Sequence, residues 1–299
     1  MPLFELLQKQ FPDLKLFQNE PMARRCSFRL GGAAEVLAEP RSEAELAALV
    51  RCLRSEGAAY FILGNGTNVL VPDEGVRGVV IHIGEDLGSL STEGETLTAG
   101  AGAALSRAAV LARDAGLGGM EFAHGIPGSV GGAVYMNAGA YGGEMRDILL
   151  SVRCLDPDGE IREYTGAELA LGYRTSRFAK RGGVVLSAKM QLHNAPPSEI
   201  GARMHELWKK RSASQPLDKP SAGSAFKRPQ AGYAAAMIDG AGLKGLTVGG
   251  AQVSTKHAGF IINAGGATCA DVQELMSQVQ TAVREKYGVT LEPEIRVLR

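Results

Sequence analysis

The stretch "GIPGSVGGAVYMNAGAYGG", Gly125 to Gly143, holds seven glycines and no charged side chain in nineteen positions, and no other part of the chain limits its possible folds so strongly. Side chains this small let backbone approach backbone, or let a flat ligand approach it, and the left-handed conformations open to glycine permit sharp turns. Composition alone leaves chain-on-chain packing and ligand contact equally open. Glycine is the one unusual figure in the whole sequence, 39 of 299 residues, against an average of about 7%. No Lys, Arg, Asp or Glu occurs from Phe122 to Gly143, yet the glycines, Pro127, His124 and Asn137 make a membrane span an unfavourable reading.

The remaining composition excludes other classes. Thirty-two Lys and Arg balance 32 Asp and Glu, so no global field draws the chain to nucleic acid or an anionic membrane. The four cysteines, Cys26, Cys52, Cys154 and Cys269, show no C-x-x-C spacing, which argues against a disulfide framework and a zinc site and for a reducing cytoplasm. The five histidines are scattered, with none at i, i+4 from another, so no metal is expected. The amino terminus has no secretory pattern and reads as a short amphipathic helix.

Three segments follow from changes in pattern. Up to about residue 85, helix alternates with strand: "SEAELAALVRCLRSEG" opens with Ser42 and Glu45 at capping-box spacing and stops at Gly57, and the apolar "AAYFILG" after it predicts a buried strand. From 86 to 195 strands dominate, including a hairpin, "LSVRCLDPDGEIREY", turned by "DPDG", with one helix at "AALSRAAVLARDAG". From 196 to 299, beginning at Pro196–Pro197, the longer helices "SEIGARMHELWKKR" and "ADVQELMSQVQTAVREKYG" bracket the short strands "GAQVS" and "AGFIINAG".

Four stretches have chemical potential. "GNGTN", Gly64 to Asn68, follows the predicted strand; it is either a tight turn or a loop whose N–H groups converge on an anion, without the lysine of a P-loop. "YRTSRF" places Tyr173, Arg174, Ser176 and Arg177 at the start of the strand "GVVLSAKMQL", where an arginine can grip a carboxylate with two hydrogen bonds or stay solvated. "AGSAFKRP" sets the Ser224 hydroxyl near Lys227 and Arg228, suited to phosphate or to proton delivery, and no G-x-S-x-G elbow supports a hydrolase. In "LEPEIR", Glu292 and Glu294 share one face if the chain is extended.

Taken in order with "SFRLGGAAE" and "AAAMIDGAGLKGLTVGGAQVSTKHAGFIIN", these stretches resemble the UDP-N-acetylenolpyruvoylglucosamine reductases (UDP-N-acetylmuramate dehydrogenases) of bacterial peptidoglycan synthesis, over nearly the whole chain. The resemblance implies an α+β fold. A two-part FAD-binding domain of the vanillyl-alcohol oxidase type would occupy 1–85, with the carboxy-terminal strand returning to it, and 86–195; an α+β substrate-binding domain would occupy 196–299. It implies noncovalent FAD, NADPH as hydride donor, UDP-N-acetylglucosamine enolpyruvate as substrate, and a cytoplasmic monomer without nucleic-acid or membrane partners.

By matching position, the resemblance assigns Gly64, Asn65, Gly66, Thr67 and Asn68 to the FAD pyrophosphate. Ile126, Pro127, Gly128, Ser129, Val130, Gly132 and Asn137 fall beside the isoalloxazine, with Arg29 supporting the same cofactor. Arg174 and Glu294 map onto the groups that polarise the enolpyruvyl carboxylate, Ser224 onto the proton donor, and Tyr173, Lys227, Arg228, Lys244 and His257 onto substrate contacts. A carboxyl group facing another carboxylate tends to keep a proton, so Glu294 is expected to be partly protonated in the complex. The chain resembles the shorter class of the family: after Phe178, "AKRGG" runs straight into a strand and leaves no room for a tyrosine-bearing loop.

Overall fold

In a computed structural model, which describes residues 1–298, the α-helices are α1 (Leu3–Gln10), α2 (Glu43–Ser55), α3 (Leu105–Asp114), α4 (Val130–Met136), α5 (Arg177–Arg181), α6 (Pro197–Ser214), α7 (Ala234–Gly240) and α8 (Cys269–Tyr287). Local chemistry explains their ends. Ser42 caps α2, its hydroxyl accepting the Glu45 N–H at 3.1 Å. The return half of that capping box is displaced by one residue, because the Glu45 carboxylate accepts from Arg41 N–H at 2.6 Å. Thr268 and Asp271 form a complete box at the start of α8, and Gly288, at φ 67°, ends it.

Two units separate by their internal contacts: Met1–Phe17, Leu37–Asn65 and Gly78–Arg211 in the first, and Gln18–Val36, Gly66–Arg77 and the chain from Ser212 onward in the second. Neither is one continuous segment, unlike the three segments read from the sequence.

In the first unit an antiparallel sheet runs in the order Ile161–Thr165, Leu149–Leu155, Val184–Gln191, Thr96–Gly100, Leu90–Glu93. The "DPDG" hairpin forms as expected, with Leu155 opposite Ile161 and Ser151 opposite Thr165. A buried polar cluster fixes its mouth: the Asp156 carboxylate accepts from Tyr164 Oη, from Arg162 at 2.7 Å and from the Cys154 thiol at 3.2 Å. Burial alone would raise the Asp156 pKa, but these donors outweigh it and the net shift is downward. Burial and the adjacent Asp156 push the Cys154 thiol up to about 12. Helix α3 buries Leu105, Ala108, Ala109 and Ala112, an i, i+3, i+4, i+7 face of mostly small residues that lets the helix lie close to its neighbours.

The strand read as buried, Tyr60–Leu63, differs from expectation: only Leu63 is buried and Ile62 is 37% exposed. It lies at the edge of a sheet ordered Lys15–Pro21, Ala33–Glu39, Val76–His82, Tyr60–Leu63, paired in parallel with Val76–His82. An edge strand has a neighbour on one side only, so an apolar run can sit there half covered.

The second unit has an antiparallel sheet ordered Ser221–Ser224, Phe260–Asn263, Ala251–Val253, Thr247–Val248. Helix α8 packs on it through Val272, Leu275, Met276, Val279 and Val283. The Asp73 carboxylate accepts from the first N–H groups of α8, Cys269 at 2.7 Å and Ala270 at 3.0 Å. At the far end of the chain Arg296–Val297 returns to pair in parallel with Val69–Leu70. Among the described residues no helix is long and apolar enough to cross a membrane.

Candidate functional site

The "GNGTN" loop leaves the edge strand as a turn whose own amides stay open. Among the described residues, the N–H groups of Gly64, Asn65, Gly66 and Asn68 donate to no protein acceptor. Gly64 has no room for a side chain, since a Cβ there would lie 2.5 Å from Ser129 Oγ; the loop and the glycine-rich stretch therefore meet in the first unit. In the second unit Gly66 has φ 62°, and a Cβ on it would strike the Arg25 carbonyl and come within 2.8 Å of Cys26 Cα. Ser27 holds Gly66 there, donating its N–H to the Gly66 carbonyl at 3.0 Å, while its hydroxyl donates to Ser221 O at 2.6 Å.

Within the opening stretch, part of what looked like bare loop is helix α4, capped by Ser129, whose hydroxyl accepts from Gly132 N–H at 3.3 Å. Two backbone amides of this stretch serve the protein itself: Val130 N–H donates to Ala103 O at 2.8 Å and Gly131 N–H to Ala101 O at 2.9 Å. Gly131 is bare because a Cβ would lie 2.9 Å from Ala101 Cβ, and Gly143 because Phe122 occupies the space. Gly132 differs, since a Cβ there meets only Ser129 Oγ, at 3.5 Å. Gly131→Val should thus lower the melting temperature of protein with or without ligand. Gly132→Val should leave it nearly unchanged and reduce flavin content, read from the absorbance ratio of flavin to protein; equal flavin loss in both would contradict this division.

His124 Nδ1, just before this stretch, is buried and has no hydrogen-bond partner among the described residues. Burial, then the nearby Arg113, lowers its pKa. A loop of undonated amides, a glycine face and an orphaned ring nitrogen fit FAD in kind: an anionic diphosphate, a flat ring and polar ring atoms. Asn137 is held by the protein itself. It is wholly buried, and both its amide protons go to protein acceptors, Glu144 Oε2 at 3.1 Å and Gly172 O at 3.0 Å.

"YRTSRF" is not a strand start, because α5 intervenes with Ser176 as its N-cap. Gly172 and Thr175 exchange hydrogen bonds of 3.0 and 3.2 Å around Tyr173 and Arg174. Arg174 sits there at φ 53° and donates to Gly139 O at 3.2 Å. A non-glycine residue in this region costs about 1–3 kcal/mol, a cost that concentrates at functional sites. Arg177 anchors the far side, its guanidinium 3.8 Å over the Tyr164 ring and 2.9 Å from the Tyr164 hydroxyl. Tyr173 is 48% exposed.

The other assigned groups lie in the second unit. Ser224 ends the strand Ser221–Ser224, opposite Phe260. Glu294 is its backbone neighbour: Glu294 N–H donates to Ala225 O at 2.9 Å, beside an antiparallel bridge between Phe226 and Pro293. Asn68 Nδ2 donates to Glu294 O at 3.3 Å, tying the end of "GNGTN" to the acid. Glu292 turns away to pair with Lys227. Lys244 pairs with Asp239 at 2.7 Å, and Arg228 stacks 4.0 Å from the centre of the Tyr233 ring. Arg29, at φ 55°, has its carbonyl 3.4 Å from Asn263 Nδ2.

His257, assigned to the substrate contacts, is half-buried. Burial lowers its pKa most, and Nδ1 accepts Gly259 N–H at 3.1 Å, so the ring is neutral near pH 7 and offers only its Nε2–H. Ser27 was missed by the sequence reading; no pattern marks a hydroxyl whose acceptor is 194 residues away. Among the described residues no cluster of three or more His, Cys, Asp or Glu is arranged to hold a metal.

Comparison with known proteins gives a consistent set. Residues 34–165 match the FAD binding domain family, and residues 215–298 match the UDP-N-acetylenolpyruvoylglucosamine reductase C-terminal domain. The chain is 47% identical over 296 residues to a UDP-N-acetylenolpyruvoylglucosamine reductase of Caldanaerobacter subterraneus subsp. tengcongensis, covering 99% of this chain and 98% of that protein. Identity to the protein of the same name from Clostridioides difficile is 43% over 296 residues, covering 99% and 96%. The crystal structure of UDP-N-acetylenolpyruvylglucosamine reductase from Thermus caldophilus aligns with a TM-score of 0.81 at 38% identity, covering 96% of this chain and 99% of that one.

Proposed function

This chain belongs to the UDP-N-acetylenolpyruvoylglucosamine reductase family, and on that premise we propose that Arg174, Glu294 and Ser224 carry its chemistry. It is an FAD-dependent oxidoreductase that uses NADPH to reduce the enolpyruvyl group of UDP-N-acetylglucosamine enolpyruvate, giving UDP-N-acetylmuramate for peptidoglycan. When bound, FAD would supply the hydride chemistry of this reduction.

The amides of Gly64, Asn65, Gly66 and Asn68, with Thr67, would hold the pyrophosphate in this reading, and Ile126, Pro127, Gly128, Ser129, Val130 and Gly132 would line the ring, with Arg29 supporting. The undonated N–H groups of the loop support it. Tyr173, Lys227, Arg228 and Lys244 meet the nucleotide sugar, and His257 contributes as a neutral donor.

Hydride addition to an enol ether is unfavourable because the double bond is already electron-rich. The adjacent carboxylate must take up the developing negative charge, and groups fixed against it in advance lower the barrier most. Arg174 does this with two N–H donors directed at two oxygens. Glu294, facing a carboxylate, keeps a proton and donates a hydrogen bond that strengthens as charge develops. Ser224 then gives its proton to C2. An ordinary hydroxyl is a weak acid, so placement outweighs resting pKa.

The observation that supports this reading is the backbone tie between Glu294 and Ala225, 2.9 Å, which sets the chain at Glu294 beside the residue that follows Ser224. Glu294→Gln tests the role of the protonated acid: an amide donates a weaker hydrogen bond than a carboxylic acid, so substrate-driven reoxidation of the flavin should slow at least about tenfold. Wild-type reoxidation would show that the step does not need a protonated carboxyl group at Glu294. The boundaries near 85 and 195 remain proposals, the second supported by the matched regions 34–165 and 215–298. So do the cytoplasmic location and the monomer, the latter checked by sedimentation.

A further inference from the structure

We propose that Asn137 is the positioning residue for Arg174, an inference that rests on the reading of Arg174 above. Asn137 ends α4 at φ 43° and is wholly buried. Its Oδ1 accepts Arg146 N–H at 2.8 Å, and its two amide protons go to Glu144 and to Gly172 O. Gly172 is the base of the turn that carries Arg174, and Gly139, whose carbonyl accepts from the Arg174 guanidinium, is two residues beyond Asn137. One buried amide thus fixes both the backbone from which the arginine extends and the segment that orients its head. Ser176, donating to Tyr135 O at 2.7 Å, closes the same clamp from the other side. Without the amide, Gly172 O keeps only the Thr175 N–H within the turn itself, and the strained turn loses its buried tie to the end of α4. A reacting group displaced by about 1 Å can cost about 10²-fold in rate.

Asn137→Gly removes the amide and keeps the left-handed backbone, which glycine adopts without penalty. FAD content should stay at wild-type level, reduction by NADPH should change by less than about twofold, and reoxidation by UDP-N-acetylglucosamine enolpyruvate should slow about 10- to 100-fold. Arg174→Lys should slow the same half-reaction. Adding Asn137→Gly to Arg174→Lys should slow it by less than about a further twofold, since two residues acting as one unit do not add. Fully additive slowing overturns the inference while leaving Arg174 in place. Loss of FAD with normal reoxidation per bound flavin overturns it too and returns Asn137 to the cofactor contacts. Normal reoxidation in Arg174→Lys overturns the premise, and the inference with it. Should Asn137→Gly not fold, Asn137→Asp is near-isosteric, keeps the acceptor for Arg146 N–H and loses both donors; the same split is expected, and normal reoxidation in it overturns the inference.

Discussion

In Ser224→Ala protein, NADPH reduces the flavin at close to the wild-type rate, while reoxidation by UDP-N-acetylglucosamine enolpyruvate slows by about 10²- to 10⁴-fold, the range for loss of a positioned proton donor. The asymmetry follows from where the hydroxyl acts. Proton delivery to C2 belongs to the second half-reaction alone. Ser224 closes a strand held opposite Phe260 and stands next to Ala225, whose carbonyl fixes Glu294, so the truncation removes one oxygen and leaves the backbone intact. Ser224→Cys retains an ionisable proton nearby and should recover part of the rate. Equal slowing of both half-reactions would point to a displaced flavin and contradict the assignment.

The second large effect is at Gly66, and Gly57 provides its control. Both have left-handed backbone, φ 62° and 65°, but a Cβ on Gly57 meets nothing within 4 Å, whereas one on Gly66 strikes the Arg25 carbonyl. Gly57→Ala should therefore show the conformational penalty alone, about 1 kcal/mol, or a fall of roughly 2–4 °C in melting temperature. Gly66→Ala must also push Arg25–Cys26 away, breaking the geometry that Ser27 maintains. It should lose most of its FAD and melt well below the Gly57→Ala protein. Matching melting temperatures and full flavin content would show that the close approach carries no weight.

Features set by neighbouring residues were legible in the sequence. The Ser42 cap of α2, the "DPDG" hairpin and the helices α3 and α8 are local, and all appear where their patterns predict. Features set by distant partners were not. Whether Tyr60–Leu63 lies inside a sheet or at its edge depends on strand order, which periodicity does not encode. The glycine-rich stretch serves two purposes that its composition cannot separate: Gly131 is bare for Ala101 and Gly143 for Phe122, while Gly132 keeps an open face. Two of the three asparagines matched to cofactor positions show the same limit. Asn68 reaches the Glu294 carbonyl and Asn137 the Gly172 carbonyl, contacts visible only once the chain has folded.

The most direct test of the central claim is an anaerobic mixing experiment on the purified, flavin-loaded protein. The flavin is bleached with one equivalent of NADPH, UDP-N-acetylglucosamine enolpyruvate is added, and absorbance and product are followed together. The account predicts return of the oxidised flavin spectrum with one UDP-N-acetylmuramate formed per flavin. A flavin that stays reduced in the presence of substrate would contradict it.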